Sequence, residues 1–346
     1  MGFGIKSGSY YGSKSRWLWD YFKVIPQKHY NKFVDVCMGS GCITATAKIR
    51  DIDERIANDF DINMYKFHKE IRDNVEGVIE EINNIPYDEE LFRRLVELAK
   101  NEYPNVSDTK VAAYEFFRSE VSMNCNKISM RHIKKTGWAK EAEEGRFKRK
   151  ARNLRDFSKA MQGVELLNSD CLIEIPKYIH DENNFIFMDS PYDPEYRTSE
   201  KVYRKETDHE WHKKFLHLMQ EVQNEDGGIK ANMMICGYLG NHEAGREVLS
   251  EKEQRELLID DLRHEMYCKM LMPLGFNLLR IKKTVKPTVN MKDETKGRKS
   301  KKSPAIECIF TNYEVPERAF MTISRKEYFT YEEVFGSQRN VTVNVA

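Results

Sequence analysis

Short apolar runs alternate with helical patterns along most of this chain of 346 residues. Four to eight apolar residues bounded by turn residues are typical of buried strands, whereas apolar residues at i, i+3, i+4 and i+7 are typical of helices. Their alternation predicts an α/β fold in which most strands are parallel. The predicted strands cover residues 32–37, 55–60, 164–170, 184–189, 231–238, 276–285 and 305–313.

Two parts of the chain break this alternation. The last two predicted strands are joined by a polar, basic segment, residues 286–304, which has no helical pattern. Such a connection predicts a hairpin, so the final strand should be antiparallel. Residues 66–159 show helical periodicity and almost no strand pattern, which predicts a helical insertion. We therefore expect a core of residues 1–65 and 160–313, and we assign no role to the tail 314–346.

The net charge of +1 conceals two basic segments. Residues 127–155 hold 11 lysines and arginines against 3 glutamates, and residues 286–302 hold 7 against 2 acidic residues. Such segments are either solvated faces or contacts for phosphate groups, and composition alone does not separate the two.

The cysteines exclude some classes of protein. The seven cysteines form no C-x-x-C pair and have no spacing to histidine that suits zinc. They predict reduced thiols in a cytoplasmic protein without a metal centre. No apolar stretch approaches the roughly 20 residues of a membrane-spanning helix.

A glycine turn follows the first predicted strand. Gly39 and Gly41 either let the backbone pass close to a ligand before a helix begins, or are needed only for the sterics of the turn. Asp59 ends the second strand 18 residues after Gly41, near the offset of a carboxylate that binds ribose hydroxyls. The third glycine of a dinucleotide site would fall on Thr44. This pattern favours a nucleoside without a pyrophosphate, such as S-adenosylmethionine, over NAD.

Two further features near this turn each have two interpretations. Asp35 is either a cofactor ligand or an acid near the end of the first strand with no ligand role. The segment SYYGSKSRW, which contains Tyr10 and Lys14, is either a loop over the core or a lid. As a lid, it would place Lys14 on a ligand carboxylate and an aromatic ring on a sulfonium or adenine group.

The stretch FIFMDSPYDP, residues 185–194, joins a predicted central strand to a proline turn. Ligands of parallel sheets bind beyond the carboxyl ends of the strands, where Asp189 would lie. The simpler interpretation is an acid that hydrogen-bonds its own turn.

The order of these motifs resembles that of the Dam-type DNA adenine-N6 methyltransferases (D12 class, alpha group). This chain reads Y-G-S-K, FVDVCMGSG, ANDFDIN, a helical insertion and MDSPYDP, and then a strand, a basic loop and a strand. The family pattern runs G-G-K, F-x-G-x-G, D-I-N, a target-recognition insertion and D-P-P-Y-x-P. The resemblance covers residues 6–313. It implies a Rossmann-like sheet that binds S-adenosylmethionine and an inserted helical lobe that recognises the target.

The resemblance also implies roles for individual residues. Four positions match family contacts to S-adenosylmethionine: Tyr10, Lys14, Asp59 and Asp189. Four match its catalytic tetrapeptide: Asp189, Ser190, Pro191 and Tyr192. In that tetrapeptide the proline fixes the turn, and the tyrosine stacks on a base extruded from the duplex.

Three features depart from the family pattern. Ser190 replaces a proline, Cys37 replaces an aromatic residue that faces the cofactor's adenine, and Tyr10 and Ser13 replace a tryptophan and a glycine. Methylation of an exocyclic amine needs two acceptors that bind both N–H protons and free the lone pair. The carboxylate of Asp189 and the backbone carbonyl of residue 190 would be these acceptors. Replacing proline by serine removes some rigidity but no acceptor, so we expect a working enzyme.

The implied partner is double-stranded DNA, and the implied reaction needs neither a metal nor a covalent enzyme nucleophile. Basic side chains of the insertion and of the final loop would bind the phosphates. The candidates are Lys127, Arg131, Lys134, Lys135, Arg146, Lys148, Arg149, Lys299 and Lys301.

Other functions stay open at this point. The chain could methylate adenine in RNA or cytosine N4 in DNA, or be a non-catalytic DNA-binding relative. Asp189 disfavours cytosine N4, because such enzymes tend to carry serine at that position. The missing third glycine disfavours a dehydrogenase. A restriction nuclease would be a natural companion of a site-specific DNA methyltransferase.

Overall fold

The computed structural model describes residues 13–122, 125, 127–128, 137–196, 204–237, 239, 249–283 and 305–336. The strands in this part of the chain are β1 (Tyr30–Asp35), β2 (Ile52–Asn58), β3 (Val164–Leu167), β4 (Asn184–Met188), β5 (Asn232–Gly237), β6 (Asn277–Lys283), β7 (Ala305–Thr311) and β8 (Tyr328–Phe329). They form one sheet in the order β3-β2-β1-β4-β5-β7-β6-β8. All seven predicted strands are present, within a few residues of the predicted bounds.

The sheet combines a parallel part with an antiparallel end. Strands β3, β2, β1, β4 and β5 are parallel to their neighbours, whereas β7 runs antiparallel to both β5 and β6. The predicted α/β class and the predicted antiparallel final hairpin are therefore confirmed. The tail adds β8, which pairs with β6. This two-residue strand carries no sequence pattern that would have predicted it.

Thirteen α-helices occur in the described residues. They are α1 (Leu18–Val24), α2 (Cys42–Ala47), α3 (Ile62–Asp73), α4 (Val75–Asn84), α5 (Glu89–Lys100), α6 (Asp108–Val121), α7 (Gly137–Ala151), α8 (Leu154–Met161), α9 (Cys171–Glu174), α10 (His209–Asn224), α11 (Glu251–His264), α12 (Met266–Leu271) and α13 (Tyr331–Phe335). None of them is long and apolar enough to cross a membrane. Helices α3 to α8, here called the helical lobe, lie between β2 and β3 and contribute most of one hydrophobic cluster.

Strand β4 lies at the centre of the fold and is buried along its whole length. Because successive side chains of a strand point to opposite faces, Phe185 and Phe187 pack into the core on one side, and Ile186 and Met188 pack into the core on the other. The next residue, Asp189, leaves the sheet at the carboxyl end of this doubly covered strand. A well-packed strand therefore fixes the position of the acid that follows it.

The turn from β1 into α2 needs glycine. Gly41 has a φ of 67°, a left-handed conformation that side chains disfavour. A Cβ atom added to Gly41 would lie only 2.8 Å from Cζ of Phe157, which packs on this turn from α8. Gly163, before β3, has a similar φ of 74°, but a Cβ there would meet nothing within 4 Å.

We expect Gly41→Ala to destabilise the protein more than Gly163→Ala. Both changes carry a backbone penalty of about 1–2 kcal/mol. Only Gly41→Ala adds overpacking against Phe157, of about 1–3 kcal/mol. Urea unfolding of the two variants measures the difference. Equal losses of unfolding free energy would show that Phe157 moves aside without strain.

Candidate active site

The carboxyl ends of β1, β2 and β4 surround a cavity of about 240 Å³. Gly39 follows β1, Asp59 follows β2 and Asp189 follows β4, and all three line the cavity. Lys14 lines it from the N-terminal turn. The structure therefore brings together four residues that the sequence predicted separately.

Lys14 is the electrostatic centre of this site. Its Nζ atom lies 2.7 Å from Oδ1 of Asp189, 2.6 Å from the hydroxyl of Tyr192 and 3.1 Å from Oε1 of Glu307. Burial lowers the pKa of Lys14, but the carboxylates of Asp189 and Glu307 outweigh burial and hold that pKa well above its usual value. Lys14 is therefore a charged donor at neutral pH.

The two oxygens of Asp189 have different surroundings. Oδ1 accepts hydrogen bonds from Lys14 and from the Tyr192 hydroxyl, the latter at 3.0 Å. Among the described residues, none donates to Oδ2 of Asp189 or to the backbone carbonyl of Ser190. Two acceptors of adjacent residues are thus left open at the end of β4.

The turn after β4 is held by side chains that precede or begin α10. The Thr207 hydroxyl donates to the carbonyl of Pro191 at 2.8 Å and lies 3.1 Å from Nε2 of His212. Nδ1 of His212 lies 2.6 Å from the Tyr267 hydroxyl. Since the Thr207 proton goes to Pro191, the network assigns the ring proton to Nε2 and makes Nδ1 an acceptor for Tyr267. A chain of hydrogen bonds from α12 therefore fixes the backbone at Pro191.

Asp59 is bound by the backbone around it. Its carboxylate accepts from the backbone N–H of Gly39 at 3.1 Å and of Asp61 at 2.9 Å. Burial and the nearby charge of Asp61 raise the pKa of Asp59 to about 7, although those N–H donors and the more distant Lys127 oppose the shift. Asp59 thus changes charge close to neutral pH.

Phe60 is an aromatic residue that the sequence analysis did not single out. It lines the cavity beside Asp59 and its side chain is 56% exposed. Cys37, at the position where the family has an aromatic residue, also lines the cavity, next to Cys171. The sequence held no signal for Phe60, because its exposure and its place at the cavity appear only in the fold.

Asp35 lies behind the cavity and is not among its described lining residues. It is 1% exposed, and its Oδ2 accepts from the hydroxyl of Thr44 at 2.7 Å. Burial raises the pKa of Asp35 to about 7. Its Oδ1 has no partner among the described residues. The structure therefore gives Asp35 a contact with α2, and its predicted role as a cofactor ligand stays a prediction.

The helical lobe packs against the glycine turn and forms a hydrogen bond with it. Nε2 of His68, in α3, donates to the carbonyl of Gly39 at 2.8 Å. Burial lowers the pKa of His68 to about 4, so this histidine is neutral. Phe157 packs against His68 and against the position of Gly41. Gly41 is thus a packing residue of the turn, while Gly39 also lines the cavity.

A segment before α10 covers part of the cavity. Arg204 donates from Nε and Nη2 to the carboxylate of Asp61, at 2.5–2.9 Å, and from Nη1 to Glu102 of the helical lobe. The Nζ atom of Lys205 lies 5.7 Å from the centroid of the Phe60 ring. These contacts connect the covering segment to the turn between β2 and α3 and to Glu102 of the helical lobe.

Within the described part of the chain, two groups of side chains each bring three potential metal ligands within 4.8 Å of one another. They are Asp189, Cys236 and Glu307, and Asp193, Glu195 and His209. In the first group the Lys14 ammonium already lies between the two carboxylates. In the second, Nδ1 of His209 lies 2.7 Å from Asp193. Both groups are thus accounted for by contacts within the protein.

The predicted phosphate contacts differ in their surroundings. Lys127 and Lys148 form ion pairs with Glu115 and Glu144. Arg146 and Arg149 are exposed in the last turns of α7. The other predicted contacts, Arg131, Lys134, Lys135, Lys299 and Lys301, lie outside the described residues, as does Tyr10.

Glu307 is a residue of the site that was not predicted from the sequence. It stands in the apolar run AIECIF, in the middle of β7, and is 3% exposed. A charged residue within such a run signals a buried partner, because an isolated buried charge is very unfavourable. The sequence did not identify that partner, which is Lys14, some 290 residues away.

Comparisons with known proteins agree with this geometry. The family model for D12 class N6 adenine-specific DNA methyltransferases matches residues 10–262. A comparison with curated proteins returns no match to the chain. The matched region contains the glycine turn, the helical lobe and the open acceptors after β4, and it spans well over half of the sequence. The chain therefore belongs to the D12 class of N6 adenine-specific DNA methyltransferases, enzymes that transfer a methyl group to adenine in DNA.

Proposed function

We propose that this protein transfers a methyl group from S-adenosylmethionine to N6 of adenine in duplex DNA, at a specific site. The observation that carries this proposal is the pair of open acceptors after β4, Oδ2 of Asp189 and the carbonyl of Ser190. They stand on adjacent residues beside a cavity that a glycine turn and Asp59 also line. An exocyclic amine carries two N–H protons, and this pair can accept both.

The residues of the cavity fit S-adenosylmethionine. Gly39 leaves room for a close ligand, and Asp59 offers a carboxylate to ribose hydroxyls. Phe60 offers an apolar face to the adenine ring. When bound, S-adenosylmethionine supplies an electrophilic methyl group on a positively charged sulfur. Tyr10 and Lys14 stay predicted contacts of the cofactor, and Lys14 also donates to Asp189.

The two acceptors activate the target nitrogen. The lone pair of an exocyclic amine is delocalised into the adenine ring, which makes the nitrogen a poor nucleophile. Hydrogen bonds from its protons to Asp189 and to the Ser190 carbonyl draw the nitrogen toward tetrahedral geometry and localise the lone pair. The same acceptors stabilise the positive charge that develops on the nitrogen. Acceptors held in one position stabilise this charge best. Lys14 holds the Asp189 carboxylate, and Thr207 holds the backbone at Pro191, next to the Ser190 carbonyl.

Binding of duplex DNA is supported by the charge of the helical lobe. The last two turns of α7 carry Arg146, Lys148, Arg149 and Lys150. Lys148 and Lys150 have acidic partners, whereas Arg149 has no acidic partner among the described residues. A free guanidinium suits a phosphate contact. Methylation of adenine in RNA needs the same acceptors, so the substrate is decided by experiment.

We expect Asp189→Asn to reduce methyl transfer by about a hundred- to a thousandfold, because an amide is a weaker acceptor and cannot balance the developing charge. The measurement is incorporation of labelled methyl from S-adenosylmethionine into duplex DNA and, in parallel, into RNA. The product nucleosides are then separated.

Asp181→Asn is the control for this prediction. It makes the same chemical change before β4, at the opposite end of the strand, where Asp181 binds the backbone of Asn183. Full activity of Asp189→Asn would remove the proposed role of the carboxylate. Label only in RNA would keep the chemistry and change the substrate.

We expect S-adenosylmethionine to bind about tenfold more tightly at pH 8 than at pH 6, because the pKa of Asp59 is about 7 in the free protein. Ribose hydroxyls donate to the ionised carboxylate, so binding strengthens as Asp59 loses its proton. Titration calorimetry at pH 6, 7 and 8 measures the change.

Asp59→Asn is the control for the pH dependence. Asp35 also titrates near pH 7, and its contribution persists in that variant. The difference between wild type and variant therefore isolates Asp59. An identical pH dependence in both proteins would show that Asp59 does not bind the ribose.

We expect Arg149→Gln to weaken DNA binding and to lower the slope of log affinity against log salt by roughly one, as the loss of one phosphate contact does. Arg93→Gln is the matched control, since Arg93 is an exposed arginine of the same lobe but pairs with Glu89. Fluorescence anisotropy at several salt concentrations measures the slopes. Equal slopes for Arg149→Gln and wild type would show that Arg149 does not contact a DNA phosphate.

A further inference from the structure

Glu307 reaches the catalytic turn from a distant strand. Strand β7 lies two places from β4 in the sheet. Even so, Oε1 of Glu307 lies 3.1 Å from Nζ of Lys14 and 3.0 Å from the Tyr192 hydroxyl. These are the two groups that donate to Oδ1 of Asp189. Glu307 thus contacts both supports of the proposed acceptor, and it lies outside the region that the family model matches.

A third donor holds the same oxygen of Glu307. The hydroxyl of Tyr21, a fully buried residue of α1, donates to Oε1. Lys14 comes from the N-terminal turn and Tyr192 from the turn after β4. Three elements therefore meet at one buried oxygen, which makes Glu307 a fixed anchor for the polar groups around it.

The charges of this cluster are unevenly matched. Lys14 supplies one positive charge to two carboxylates, Asp189 and Glu307. The single proton of Tyr192 is likewise shared, since both carboxylates lie 3.0 Å from its hydroxyl. Charge-assisted donors draw negative charge toward themselves. If Glu307 lost its charge, Lys14 and Tyr192 would donate chiefly to Asp189, and its Oδ2 would become a weaker acceptor.

We propose that Glu307 is a positioning residue for methyl transfer, which holds Lys14 and Tyr192 so that Asp189 presents an unshared, fully charged oxygen to the target nitrogen. This inference rests on the proposed function, because it assigns Asp189 the acceptor role. A purely structural Glu307 would contribute only to stability. In a folded variant of Glu307, a positioning role predicts a lower kcat, whereas a purely structural role predicts an unchanged kcat.

The first test is Glu307→Gln, which preserves the shape and one acceptor oxygen of the side chain and removes its charge. We expect kcat for methyl transfer to fall about ten- to a hundredfold, the range seen when a supporting residue is changed. The KM for DNA and the calorimetric affinity for S-adenosylmethionine stay at wild-type values. Glu307→Asp, which keeps the charge, recovers part of kcat.

A double-mutant cycle tests the route of the effect. If Glu307 acts through Lys14, then Glu307→Gln lowers kcat much less in a Lys14→Met background than in the wild type. Fully additive losses in kcat would contradict the proposal, since they would mean that Glu307 acts independently of Lys14.

Two further variants keep the test decisive. Glu174→Gln changes another buried carboxylate that forms an ion pair, with Lys177, and should retain wild-type kcat. Tyr21→Phe leaves every charge in place but removes a donor that fixes the position of the Glu307 carboxylate, so Lys14 and Tyr192 are held less firmly and we expect a smaller fall in kcat. If Glu307→Gln does not fold, Tyr21→Phe decides: a fall in kcat supports the proposal, and an unchanged kcat overturns it.

Failure of this inference is distinguishable from failure of the proposed function. A folded Glu307→Gln with wild-type kcat, beside an Asp189→Asn that is inactive, would overturn the role of Glu307 alone. A wild-type protein that transfers no methyl group to any nucleic acid would overturn the proposed function, and the role of Glu307 would fall with it.

Discussion

The buried ammonium of Lys14 is the interaction on which the site depends. Its two ion pairs join an N-terminal turn to the end of β4 and to the antiparallel strand β7. Burying a charge is strongly unfavourable unless partners and hydrogen bonds compensate it, and removing one partner leaves an uncompensated charge. The ion pairs of Lys14 therefore connect the first described turn and strand β7 to the end of the central strand β4, and breaking them is energetically unfavourable. This explains how a short N-terminal turn stays closed over the cavity.

The same interaction makes Asp189 asymmetric. Its Oδ1 accepts from protein donors, whereas no described residue donates to its Oδ2, so the carboxylate has a defined direction. The neighbouring carbonyl acceptor is held differently, by the hydrogen bonds that run from Tyr267 through His212 and Thr207 to Pro191. This second support holds the backbone next to Ser190, at the position where the family pattern has a proline. A proline ring would stiffen the turn at position 190, and in this chain the hydrogen bonds of Thr207, His212 and Tyr267 stiffen the adjacent backbone.

The sequence predicted the sheet and the acids at its strand ends because both depend on local pattern. A buried run followed by a polar turn identifies β4 and Asp189, and the same reasoning identifies Asp59. Glu307 could not be assigned a function in this way, because its partners come from elements far apart in the chain. Only the antiparallel insertion of β7 beside β5 brings it to Lys14. Strand β8 escaped prediction for another reason, since two residues form no pattern.

The cavity is lined by an aromatic residue even though Cys37 departs from the family pattern. An aromatic residue that faces an adenine ring supplies a flat apolar surface, and that surface can come from any element at the correct position. In this chain the second residue after β1, Cys37, is a small thiol, whereas Phe60, just beyond β2, is an exposed ring beside the buried Asp59. Asp59 and Phe60 are consecutive, so a ligand whose ribose meets the first has its base within reach of the second. Under the proposed function, Phe60 offers the flat apolar surface that Cys37 does not, so the cysteine is compatible with cofactor binding.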